Sequence, residues 1–95
     1  MLVLGSLILH FSIPGCNSLK EKRGIIKPLI HRVHKEFNLS VVELNQQDRW
    51  RETIIGCAAI SNDKVVIEKT FQNVILYCQN QFPNLELMDH KIEIW

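Results

Sequence analysis

The feature that most narrows the folds open to this chain is the run at residues 2–13, L-V-L-G-S-L-I-L-H-F-S-I, which holds no Asp, Glu, Lys or Arg. On a period of two, Val3, Gly5, Leu7, Leu9 and Phe11 fall on one face and Leu4, Ser6, Ile8, His10 and Ser12 on the other. The first face is the more uniformly apolar and has to be covered by helices. Gly5 on that face lets a helix come close. Pro14-Gly15 ends the run. A signal-peptide reading fails for want of a positive n-region and a small-residue cleavage site. The run is also too short for a spanning helix. A buried strand remains.

A helix follows. Ser18-x-x-Glu21 is a capping box, in which the Ser18 hydroxyl takes the Glu21 amide and the Glu21 carboxylate returns to the Ser18 amide. Leu19, Ile26, Ile30, Val33 and Phe37 share one side of the helix; Lys20, Arg23, Lys27, His31 and His34 share the other. Pro28 lies inside this pattern and cannot donate a bond back to Gly24, which predicts a kink at 24–28. Asn38 ends the helix.

Residues 39–44 read as a second strand and polar residues 45–51 as its hairpin connection. Residues 53–60, T-I-I-G-C-A-A-I, read as a central third strand. Ser61-Asn62-Asp63 caps a second helix running to about Asn80, with Ile67, Phe71, Val74, Ile75, Cys78 and Phe82 as its buried face. Pro83-Asn84 turns the chain. Residues 85–95 make a fourth strand, whose scattered charges suit a sheet edge.

The order βαββαβ predicts an α+β, ferredoxin-like fold as one domain over residues 1–95: a four-stranded antiparallel sheet, order 4-1-3-2, with both helices on one face. The inner strands, first and third, are then the two most apolar ones. The other face of the sheet would carry Leu4, Ile8, Ile54 and Ile60, an apolar patch of the kind that marks an interface.

Charge is unevenly placed. The formal net charge is +1. Between residues 18 and 37, Lys20, Lys22, Arg23, Lys27, Arg32 and Lys35 stand against Glu21 and Glu36. A local basic face on a neutral protein suits a specific anionic partner. Cys16, Cys57 and Cys78 are three widely spaced cysteines without a C-x-x-C, the pattern of free thiols in a reducing compartment. Cys16 precedes a helix N-terminus, where a thiolate is favoured.

Other chemistries find little footing. The sheet lacks the exposed aromatic residues with which many RNA-binding βαββαβ domains stack bases, since Phe11 turns inward. His31 and His34 have no carboxylate at a metal-binding spacing, so no metal site is expected. No phosphate-binding glycine loop or catalytic set stands out, so neither a cofactor nor an enzymatic activity is expected. Trp50, between two arginines in the hairpin connection, is either a lid on the core edge or a partner contact.

Three segments carry a resemblance. I-P-G-x-x-S-L-K-E-K-R at 13–23, Q-D-x-W at 47–50 and G-x-A-x-x-S-N-D at 56–63, in this order, resemble the YlxP-like family of small bacterial proteins over nearly the whole chain. The resemblance implies a ferredoxin-like fold and a cytoplasmic protein of unassigned activity. The family's genes often lie among those for translation initiation and ribosome maturation factors. Its signature positions fall here on 18–23 and on Gln47, Asp48 and Trp50. The chain departs from it at Gln46, where the family usually has His, at Pro28, and at Ile8, often charged in the family.

The expectation is therefore a non-enzymatic accessory protein. It contacts RNA phosphates, ribosomal RNA or a ribosomal particle, through Lys20, Lys22, Arg23, Lys27, His31 and His34. The alternative is a homodimeric interaction or small-ligand module using the open sheet face or edge strands, with Gln47, Asp48, Trp50, Leu4, Ile8, Ile54 and Ile60 in contact. No membrane partner is expected.

Overall fold

In the computed structural model the described residues are 1–44 and 49–95. The elements are β1 (Val3–Ser12), α1 (Leu19–Phe37), β2 (Ser40–Glu43), β3 (Glu52–Ser61), α2 (Lys64–Gln81) and β4 (Glu86–Ile94). The four strands form one sheet, order β2-β3-β1-β4, the expected order read from the other edge. All three pairings are antiparallel.

The alternation of β1 sets the layers. Val3, Leu7, Leu9 and Phe11 are buried with Ile55 and Cys57 of β3 against Ile26, Leu29 and Val33 of α1 and Ile67, Phe71, Val74 and Cys78 of α2. Gly5 does what its place in the pattern suggests: a Cβ there would sit 2.6 Å from the Ile67 Cγ2 and 3.0 Å from the Phe71 Cε2.

Both helices are capped by their own sequence. The Glu21 amide donates to the Ser18 Oγ at 3.1 Å, while the Glu21 carboxylate takes the amide of Asn17, one residue earlier than the box predicts. Asn38 closes α1 in the left-handed conformation, φ 51°. The Asp63 carboxylate accepts the Val65 amide at the start of α2. The helix runs unbroken through Pro28, whose missing donor falls on an exposed position.

Candidate functional site

The buried stripe of α1 is Lys22, Ile26, Leu29 and Val33, at i, i+4, i+7 and i+11. Leu19, Ile30 and Phe37 are only half-buried. A lysine therefore opens the core face of the helix. Its Nζ lies 2.8 Å from Glu43 Oε2 on β2, with side-chain exposures of 3% and 17%. The fully buried Thr53 hydroxyl donates to the same oxygen at 2.7 Å. A charge that far from water has to be paired, and this pair ties α1 to the edge strand. The expectation of an exposed anion-binding Lys22 is corrected accordingly.

The other cations point outward. Lys20, Arg23, Lys27, His31 and His34 are exposed. The His34 Nδ1 bonds the Leu39 carbonyl, which fastens the end of α1 to the segment entering β2. Arg32 leans over the Phe82 ring, 5.4 Å from its centroid, so that charge is partly occupied.

Between α1 and β2 runs a cleft of about 500 Å³, lined by Lys27, Ile30, His31, His34, Ser40 and Val41. It meets a second hollow of about 320 Å³, which shares Lys27 and Ile30 and reaches Arg23 and the Lys22–Glu43 pair. Cations stand on one rim and apolar side chains on the floor. Among the described residues β2 pairs only with β3, and its outer edge forms the other rim.

The open face of the sheet carries its expected residues. Leu4 pairs with Ile60, Ile8 with Gly56 and His10 with Ile54. Trp95 lies beyond Leu4, their backbones exchanging two hydrogen bonds. Leu4, Ile60 and Trp95 are exposed by 44%, 71% and 67%, forming an apolar cluster across three neighbouring chain segments at one end of the face. Further along, Leu44 lies across Gly56, where a Cβ would meet Leu44 Cδ1 at 2.8 Å, so part of the face is covered from within. Trp50 is half exposed. Gln47 and Asp48 lie outside the described residues.

The thiols are withdrawn. Cys16 is buried and its Sγ donates to the Ser18 carbonyl. Burial pushes Cys57 and Cys78 up to about 12, with Cys78 adding to the effect on Cys57. Thiolate chemistry at neutral pH has no footing at those two.

Glu43, Thr53, Ser40 and Val41 escaped the sequence reading. A signal for Lys22 was present, since it heads the i, i+4, i+7 series. Nothing local marks Glu43 or Val41, because their proximity to α1 follows from the placement of β2.

The arrangement defines a class: a small ferredoxin-like α+β domain with a basic cleft between its first helix and an edge strand. Within that class the chain belongs to a family described as a protein of unknown function, DUF503, whose model matches residues 4–92. The uncharacterized protein YlxP of Bacillus subtilis (strain 168) is 42% identical over 74 residues, covering 78% of this chain and 79% of the relative. The de novo designed protein Foldit4 is similar in structure, with TM-score 0.54 at 17% identity, covering 100% of this chain and 97% of the design. A putative chlorite dismutase gives TM-score 0.58 at 12% identity, covering 99% of this chain and 44% of that one. At such identities the two structures speak for the fold alone.

Proposed function

We propose that the protein is a non-enzymatic accessory protein of the cytoplasm that grips RNA phosphates, in ribosomal RNA or a ribosomal particle, along the exposed side of α1. One observation carries the reading. Lys64, Lys91 and Arg49 each stand beside a glutamate, whereas Lys20, Arg23 and Lys27, like Lys35 and Lys69, have no ion pair among the described residues, and these three stand together on the exposed first half of α1. Lys20 and Arg23 also sit near a helix N-terminus, where a cation opposes the helix dipole by a few tenths of a kcal/mol or more. Fold stability gives no reason for them there, and an anionic partner does. The gene setting implied by the family resemblance points the same way.

Co-sedimentation with ribosomal particles tests it. The wild-type protein should pellet at low salt and be released as salt rises, and Arg23→Glu/Lys27→Glu should stay in the supernatant. Equally poor sedimentation of both at low salt would sink the reading.

A second reading has its own observation. Leu4, Ile60 and Trp95 form an exposed apolar cluster, and the shielded Nε2 of His10 on the same face has no hydrogen-bond partner among the described residues. A homodimer through the open face would cover both. Light scattering decides it, since a clean monomer at high concentration rules it out.

A further inference from the structure

We infer that the α1–β2 cleft receives one unpaired nucleotide at a time: phosphate on the α1 cations, base in the slot between Ile30 and Val41. This rests on the proposed grip of α1 on phosphates and names the form of nucleic acid that fits it. Three features of the cleft lead there.

The first is its amphipathic lining. Ile30 and Val41 make an apolar floor beside Lys27, His31 and Ser40. A duplex offers a protein phosphates and groove edges, and its base faces are stacked out of reach. An unpaired nucleotide offers an anionic group and a bare base face together. The volume of about 500 Å³ lies within the roughly 300–1,000 Å³ typical of small-ligand sites.

The second is the outer edge of β2 at Val41. The Leu44 amide donates to the Ile54 carbonyl at 2.7 Å. Antiparallel alternation then directs the backbone groups of Val42 toward β3 and those of Val41 and Glu43 away from it. The outward amide and carbonyl of Val41 therefore border the slot. One donor beside one acceptor on a rigid strand suits the hydrogen-bonding edge of a base.

The third is the spacing of the basic side chains and the imidazole beside them. Arg23, Lys27 and His31 recur every fourth residue, a rise of about 6 Å per step along the helix. That step lies within reach of neighbouring phosphates on a single strand. A strand running along the seam would place successive phosphates on successive cations, with one base turned into the slot. The same chemistry would admit a free nucleoside monophosphate, which lacks only the neighbouring phosphates.

The test compares three probes on the intact protein in low salt: fluorescent decauridine, an RNA duplex carrying the same number of phosphates, and uridine monophosphate. Anisotropy should show decauridine binding at least fivefold tighter than the duplex. Val41→Pro removes the outward amide at an edge position where proline is tolerated. It should weaken decauridine about fivefold and leave the duplex unchanged. Amide chemical shifts of the wild-type protein give an answer independent of that variant's folding. Val41, Glu43 and His31 should move with decauridine and not with the duplex. Movement of the same residues with uridine monophosphate at equal affinity supports the slot and identifies its source as a free nucleotide. Equal binding of strand and duplex without shifts at Val41 and Glu43 overturns the slot and leaves the phosphate grip standing. If neither RNA binds, both readings fall.

Discussion

The fold offers two equivalent seams, one between α1 and β2 and one between α2 and β4, and they differ in charge rather than in shape. β2 and β4 are the two edges of the sheet, and each follows its helix in sequence. The α2–β4 seam holds the larger hollow, about 590 Å³, lined by Val65, Glu68, Lys69, Gln72, Asn73 and Ile92. There Glu68 stands beside Lys69 in sequence and forms an ion pair with Lys64 at 3.8 Å. The α1–β2 seam has Arg23 and Lys27 without ion-pair partners among the described residues. A furrow between a helix and an edge strand is thus a by-product of the architecture. Volume alone does not tell the two seams apart, and the charge of their linings does.

The seams also differ in how their helices are held, and the largest expected effect breaks that contrast. On the α1 side the tie is polar, Lys22 to Glu43 to Thr53. Lys22→Met keeps the length of the side chain and removes the partner charge from a carboxylate that is only 17% exposed. Breaking such a pair costs about 3–5 kcal/mol. Urea unfolding of Lys22→Met, Glu43→Gln and the double variant should show a coupling of the same sign. A loss under about 1 kcal/mol for Lys22→Met would show that α1 is held by its apolar residues alone.

Under α2 the contact is dry, and alkali should expose it. Cys57 and Cys78 rise from 9.0 to about 12 in the fold. Between those values the unfolded thiols release protons that the native ones keep, so stability falls as pH rises. The slope is about 1.4 kcal/mol per pH unit for each thiol. Cys57→Ala/Cys78→Ala should start less stable and lose less between pH 8 and pH 10.5. Parallel losses in the two proteins would contradict the shift.

Closeness of approach differs too. Gly5→Ala would drive a methyl to 2.6 Å from the Ile67 Cγ2, and overpacking of this kind costs about 1–3 kcal/mol. Gly24 in α1 has nothing within 4 Å of an added Cβ. Gly24→Ala should instead stabilise by about 0.5–1 kcal/mol through helix propensity. Opposite signs in paired thermal melts would uphold the close approach of α2 at Gly5 and the open space around Gly24 on the exposed side of α1.

The same contrast explains what the sequence made legible. Strand and helix order followed from pattern, because β1 alternates cleanly, β3 is a short run of small and apolar residues, and Ile67, Phe71, Val74, Ile75 and Cys78 recur on one side of α2. α1 was harder, since its core face begins with a lysine. Grouping Lys22 by charge made it a phosphate contact; assigning it by spacing with Ile26, Leu29 and Val33 puts it inside. The cleft was not legible at all. It requires Val41 and Ser40 to stand opposite Lys27 and His31, and only the return of the chain through Asn38 into an edge strand brings them there. Pro28 does not end the helix, because its missing donor lies on an exposed position.

The smallest expected effect is the sharpest check on the comparison. If charge asymmetry rather than the furrow makes the α1–β2 seam the binding side, reversing a cation on the other seam should matter little. Lys69→Glu changes net charge by the same two units as Lys27→Glu, on a furrow of similar size. General attraction of a polyanion to the whole protein would make the two variants alike, since long-range steering depends on summed charge. A local contact separates them: Lys27→Glu loses a phosphate contact and lowers the salt slope by about one, while Lys69→Glu shifts RNA affinity less than about twofold and keeps the slope. Equal losses in both would reduce the α1 ridge to one part of a diffuse field.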